Sequence, residues 1–501
     1  MIALACGGRS GLLEPEPSSE KSADSGAPVA PPQRDSGRPS TDAEPAPKKP
    51  LPPMTQATEV DLGEALSGAT VTLMVPPSAL GFNVVVRGEA RDEVAIETIT
   101  SPGGEAVLTA RTIVGGAFET SVGEGIASAS VPQNKLPSTA PLERGAWSIT
   151  LSGPPGKTLR ASARIQLSGD GAFHGGVADM HVYLPKGLVV EDPVARHVVS
   201  AASAERDRSI EARLSTFYGG LERSFGVRRG DVAFHDVDAS LLRIRDERQL
   251  MEAFAVSSGA SDGLQAIHVL FTNDLDFGDG IWGIASGIPG AATRTGTSLS
   301  GVILALTPDT PARLDGLALL HEIGHFIGLT HTTEIDGALV DPLEDTPDCK
   351  GIIDIRQPST LDLCPDKDNL MFPTLWSETL RVSGSQRLVL QGSPTYKAFV
   401  GAPLDAGAPD ADRPPGLLPV DPSIFGPMGK ALQLTRSGRP LTAAERTIFG
   451  GLCGESPRSL RLRPRHKLTV PRAELARMAT DLDLPGVIRL RAQKLLARQA
   501  R

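Results

Sequence analysis

The chain has 501 residues, too many for one compact core, so two or three folded units joined by linkers are expected. A formal net charge of -9 argues against nucleic-acid binding by the chain as a whole. No run of about 18 or more apolar residues, the length a transmembrane helix needs, interrupts it.

The opening segment MIALACGG resembles the end of a bacterial lipoprotein signal peptide, with small residues ahead of a cysteine, Cys6, that would be cleaved and lipid-modified. On that resemblance residues 1–6 are a signal remnant and Cys6 anchors the protein to a membrane surface; an ordinary thiol near a terminus is the alternative. Residues 7–56 are Pro, Ser, Ala, Glu, Asp and Lys with almost nothing to bury, which predicts a disordered tether. Residues 57–172 carry short β-type runs punctuated by Gly and Pro, such as ATVTLMVPP, FNVVVRG, VAIETIT and AWSITLSG, and predict a sandwich-like all-β domain. That domain shows no catalytic cluster, so structural support, a pro-region and substrate binding all remain open for it.

From 178 to 398 strands and helices mix. DMHVYLP, DVAFHDV, AIHVLFT and SGVILAL read as strands, RDRSIEARLSTFYGGLERSF as an amphipathic helix and SQRLVLQGS as a short closing helix, which together predict an α/β domain with a mixed twisted sheet. A Pro/Ala/Asp linker is expected at 399–421 and a mostly helical, increasingly basic region at 422–501, its charge more consistent with a solvated face than with an anionic-surface patch.

The segment PARLDGLALLHEIGHFIGL predicts a helix with His321 and His325 one turn apart on one face, able to grip a single ion. A catalytic Zn2+ takes three protein ligands and leaves a position for water. Gly328 can end the helix in a left-handed conformation and return the chain so that His331 supplies the third nitrogen. Glu322, beside the first ligand, is placed to act as general base on a water acidified by the metal.

HEIGHFIGLTH, residues 321–331, resembles the extended zinc-binding signature of the metzincin metallopeptidases. That clan carries a methionine turn beneath the metal, and DNLMFP at 368–373 looks like that turn, with Met371 as its methionine. HTTE after the third ligand, DTPDC, a second cysteine at 364 and NLMFP are most similar to the pappalysin-like group. The resemblance covers about residues 178–398 and implies a zinc endopeptidase that binds an extended protein or peptide substrate along an edge strand, here WGIASGIPG at 282–290. Pro373 stands where astacin-like and serralysin-like relatives carry a tyrosine ligand, so a fifth, tyrosine ligand is not expected.

Cys349 and Cys364 flank a long irregular loop that a disulfide would staple in an exported protein, while Cys453 has no obvious partner. Asp336, Asp341 and Asp345, with Glu344 and Asp348 nearby, offer hard oxygen ligands suited to a structural Ca2+, which pappalysin-like relatives bind in this region. An exported bacterial protein, lipid-anchored at the surface or extracellular, is the reading these features share. Its rival is a surface binding or adhesion lipoprotein whose metzincin-like domain is catalytically silent; the intact Glu322 argues against it.

Overall fold

The computed structural model describes residues 3–6, 52–109, 121–133, 142–191, 196–260, 265–276, 281–292, 294–306, 310–333, 341–347, 349, 363–373 and 380–400, with positions 473, 476, 477 and 480. The expected tether up to residue 51, the linker beyond residue 400, the C-terminal region apart from those four helical positions, and Cys453 lie outside them.

Two short strands, β1 (Ala3–Cys6) and β2 (Met54–Thr55), precede nine that form one antiparallel sheet. These are β3 (Thr58–Leu66), β4 (Thr70–Val75), β5 (Ala79–Arg87), β6 (Glu93–Thr100), β7 (Ala106–Thr109), β8 (Ser121–Glu124), β9 (Ile126–Val131), β10 (Gly145–Ser152) and β11 (Thr158–Leu167). Their order is β3-β11-β5-β9-β8-β6-β10-β4, with β7 on β6, so the sheet wraps round one core in which Phe82 meets Trp147 edge to face. Outer strands alternate as a half-solvated sheet should: Val71, Leu73 and Val75 of β4 are buried and their neighbours exposed. By contrast β5 and β9 are buried along almost their whole length, because their second face packs on the rest of the protein through Val85, Ile126, Ala291 and Leu299.

The second sheet begins with β12 (Gly176–Pro185), followed by the hairpin β13 (Val189–Glu191) and β14 (Arg196–Val198), then α1 (Ala201–Ala204), α2 (Arg208–Phe225) and β15 (Val227–Val237). Next come β16 (Arg243–Ile244), α3 (Glu247–Phe254), β17 (Ala266–Thr272), β18 (Asp274–Leu275), β19 (Ile281–Ala285), β20 (Val302–Ala305), α4 (Ala312–Ile327), α5 (Gly384–Gly392) and β21 (Lys397–Phe399). Strands β15, β12, β17 and β20 run parallel, and β19 joins β20 antiparallel at the edge. Helix α2 starts on Asp207, whose side chain accepts from the backbone of Ser209 and Ile210, and stops at left-handed Gly226. α2 and α4 cover one face of the sheet over Val182, Val269 and Leu304; α3 covers the other over Leu270, Ile284 and Ile303. Coverage on both sides explains why AIHVLFT is buried at every position, as central parallel strands are.

Two features depart from the expected layout. Met54–Thr55, within the segment read as tether, pairs as a strand with β21. The outer edge of β19 is paired antiparallel with the backbone of Ala3–Cys6, the segment expected to be a signal remnant.

One polar side chain interrupts the fully buried β17. His268 Nδ1 lies 3.0 Å from the Tyr183 hydroxyl, and Nε2 has no hydrogen-bond partner among the described residues. Burial, aided by His181 and His235, holds its pKa down from the ordinary 6.5 to about 4. The fold thus favours the neutral ring, while the unfolded chain protonates it around 6.5; the stability this represents is complete above that pH and is lost toward pH 4, up to about 3 kcal/mol. We expect His268→Asn, which keeps an acceptor near Tyr183, to lose less stability than wild type between pH 7 and 4.5 in urea unfolding. Equal losses would show that another group titrates.

Candidate metal centre

Helix α4 carries His321, Glu322 and His325, all buried, and ends at Gly328, whose φ of 120° is open to glycine and strained for other residues. Leu329 N–H donates back to Gly324 O at 2.9 Å, closing the helix and sending the chain to His331. His331 returns to the same point: its Nε2 lies 3.1 Å from His325 Nε2, and one nitrogen from each of the three rings lies within 4.8 Å of the others. Tetrahedral zinc at about 2.0 to 2.1 Å asks for nitrogens roughly 3.3 Å apart, a spacing close to that of the His325 and His331 nitrogens.

Hydrogen bonds on the far side of the rings set which nitrogen faces inward. His321 Nδ1 donates to Leu370 O and His325 Nδ1 to Leu329 O, each at 2.7 Å, so in both rings Nε2 is the unprotonated nitrogen, the one a cation takes. His321 Nε2 is buried with no hydrogen-bond partner among the described residues. Burial and the neighbouring His331 hold the His321 pKa down to about 3, and burial holds His325 well below its ordinary value, so both rings are neutral, the form that binds a metal. An orphaned buried nitrogen aimed at two other imidazoles is the donor set zinc takes.

Glu322 follows His321 on α4, and its carboxyl lies under β19. A Cβ added at Gly283 would stand 2.5 Å from Glu322 Cγ, so only a glycine lets the strand pass there. Burial pushes the Glu322 pKa well above the usual carboxylate range, opposed by a hydrogen bond from the Ala285 N–H. Its Oε2 has no hydrogen-bond partner among the described residues.

Met371 is fully buried beneath the helix, where a Cβ at Gly324 would meet its sulfur at 2.3 Å. Its turn is braced by residues not singled out in the sequence. Asn369 Oδ1 accepts from Met371 N–H at 2.8 Å, and the Asn369 amide exchanges two hydrogen bonds with the Gln386 side chain on α5. Thr332 N–H donates to Met371 O at 3.0 Å, tying the turn to the strand of chain that follows His331.

Cys349 and Cys364 are joined as a disulfide with Cα atoms 5.4 Å apart, packed on Phe372 behind the turn. Of the calcium candidates, Asp341 is buried with Oδ1 on the Thr346 hydroxyl and Oδ2 without a hydrogen-bond partner among the described residues. Burial pushes its pKa up to about 7, and Asp366 and Asp345 push the same way. Asp345 Oδ2 instead accepts from Ser385 N–H at 2.8 Å, at the start of α5. Asp336 lies outside the described residues, and among those described the acidic loop gathers no group of three ligands around one point.

A second histidine group went unnoticed in the sequence. His181, His235 and His268 come from three neighbouring strands, with His235 Nε2 2.9 Å from His181 Nδ1. They sit on the face of the sheet away from α4, and only the parallel register of β12 with β15 and β17 reveals them.

The chain matches no family model and no curated protein. Among solved structures it is similar to metalloproteinase-II from Bacteroides fragilis, with 13% identity and a TM-score of 0.25, over 44% of this chain and 54% of that one. It is also similar to archaemetzincin from Methanopyrus kandleri, with 16% identity and a TM-score of 0.21, over 44% of this chain and 89% of that one. The first likeness spans about half of the Bacteroides protein.

Alanine in a helix interior is ordinarily favoured over glycine by roughly 1 kcal/mol. Gly324→Ala should nonetheless destabilise the protein by about 1–3 kcal/mol in urea unfolding, because the methyl group overpacks against Met371. A neutral or stabilising result would mean that Met371 does not underlie the helix.

Proposed function

We propose that the protein is a zinc-dependent endopeptidase of metzincin type, pappalysin-like in its HTTE, DTPDC and NLMFP segments, in which His321, His325 and His331 hold one Zn2+. The observation that carries this is the convergence of three buried imidazoles, two with Nδ1 bonded to carbonyls, beside the buried carboxyl of Glu322. Bound there, zinc would supply Lewis-acid polarisation of a peptide carbonyl and an acidified water. Glu322 takes the proton from the attacking water and passes it to the leaving amine; a carboxyl whose proton affinity burial has raised suits both transfers. Met371 supports the floor of the site from beneath Gly324.

The substrate runs along the outer edge of β19 by strand addition, with main-chain hydrogen bonds giving affinity. The pairing of that edge with Ala3–Cys6 supports this use of it. Lipid attachment at Cys6 after cleavage just before it would remove Ala3 to Ala5 from the edge. Export, with a surface-anchored or extracellular enzyme, agrees with the disulfide, and no described helix is long and apolar enough to cross a membrane.

Zinc content and cleavage of a denatured protein mixture should be measured for wild type and Glu322→Ala. Both should hold about one zinc per chain while only wild type cleaves, losing activity on chelation and regaining it with zinc. Zinc binding without cleavage by wild type, even after limited proteolysis of the N-terminal segment, would favour the silent adhesion-protein reading instead.

A structural Ca2+ in this loop would draw on Asp341, whose Oδ2 has no hydrogen-bond partner among the described residues, together with further oxygen ligands. Millimolar Ca2+ should then raise the melting temperature of wild type and leave that of Asp341→Asn unchanged. No rise in wild type removes calcium from the account.

A further inference from the structure

Asp315 lies seven residues before Glu322 on α4, two helical turns, so the two carboxyls share the face turned toward β19. It is completely buried. Its two oxygens are engaged separately: Oδ2 accepts from Arg213 Nε of α2 at 2.7 Å, and Oδ1 from Trp282 Nε1 of β19 at 2.8 Å. Only the ionised carboxylate serves both donors fully, and Arg213 is in turn anchored to Ser209 O at 3.0 Å.

Trp282 sits at an irregularity in the edge strand. Ala5 pairs with Gly283 and Cys6 with Ile281, so Trp282 is skipped. The indole reaches Asp315 on α4, and the adjacent Gly283 is also turned toward that helix, against Glu322. Two consecutive residues facing one side is the signature of a β-bulge, which bends a strand and re-aims its side chains. The bulge is thus pinned from below at Asp315, and the strand beyond it lies over Glu322, to which Ala285 donates its N–H.

We propose that Asp315, backed by Arg213, is a positioning residue for the substrate: by holding the Trp282 bulge it fixes the outer edge of β19 relative to Glu322, so that an extended peptide paired with that edge presents its scissile carbonyl at the centre. This rests on the peptidase reading above and adds residues that touch neither metal nor substrate. A group acting only through strand placement should affect binding of long substrates more than the chemical step.

Asp315→Asn leaves Arg213 buried beside a neutral amide and is liable to misfold, so the test uses Trp282→Phe, which keeps a ring and removes the N–H. Wild type and variant are compared for zinc content, for kcat and KM on an extended peptide that wild type cuts, and for KM on a truncated version too short to run along β19. Hydrogen exchange of residues 281–285 is followed in parallel. The expected result is about one zinc per chain in both, kcat within about twofold, KM for the extended peptide raised about tenfold as one hydrogen bond's worth of placement is lost, and KM for the short peptide unchanged. Exchange should be faster at 281–285 and unchanged at 302–305. Unchanged KM, or an equal fall in kcat for both peptides, overturns the positioning role. If wild type itself cuts nothing, the peptidase reading has failed, and unchanged exchange at 281–285 would separately show that the Asp315 link does not hold the strand.

Discussion

A histidine can present Nε2 to a cation only while its proton sits on Nδ1, and in a buried site that proton needs an acceptor. Both acceptors here are backbone carbonyls, Leu329 O for His325 and Leu370 O for His321. The first exists only because α4 stops at Gly328 and folds back within a residue; the second only because the Met371 turn lies under the helix. Helix end, return of the chain to His331 and methionine turn are therefore one construction, each part needed to fix the ring orientation of another. Asn369 and Gln386 extend it to α5, so the last helix braces the floor of the centre without touching it.

The Arg213–Asp315 pair shows why buried charge near such a centre is not to be counted as stability. Taking both ions out of water costs more than their attraction readily returns, and well-packed apolar residues could fill the space as well. Burial pushes the Asp315 carboxyl up to about 7 even with Arg213 and Trp282 pulling it the other way. What apolar residues could not supply is direction: a carboxylate with donors from α2 and β19 fixes the angle between three elements that pack through smooth aliphatic side chains.

Much of this was legible along the chain, and the part that was not has a common cause. The four residues of the HEIGH…H constellation are within eleven positions, where helical geometry and one glycine decide who meets whom, so sequence suffices for the candidate site. The strands AIHVLFT and SGVILAL announce themselves by mainly apolar runs. β3, TEVDLGEAL, does not, because its charged residues face solvent or pair with distant arginines, as Glu59 does with Arg164 of β11 and with Arg294. Likewise the Asp315 network, the His181–His235–His268 group and the Asn369 brace join residues far apart in sequence. Their meeting depends on sheet register and helix packing, which periodicity does not specify.

The antiparallel nine-stranded sheet carries no such constellation, yet its contacts fall where the centre is most sensitive. Gly290, a few residues beyond β19, gives its carbonyl to Ser128 of β9 at 2.7 Å while its N–H donates to Phe326 O of α4 at 2.8 Å. A Cβ there would collide with the Phe326 ring at 2.1 Å, so this stretch is wedged between the two units. On the other side, Gln166 of β11 donates to Ser393 O and Tyr396 O, just after α5. The chain segments leaving β19 and α5 are thus both held from the first sheet, one just past β19 and the other behind the Met371 turn. The buried Ser128 hydroxyl and Gln166 amide both donate across the junction, and separating the units would break these hydrogen bonds. Of the three roles open to the all-β region, structural support of the centre is the one these contacts favour.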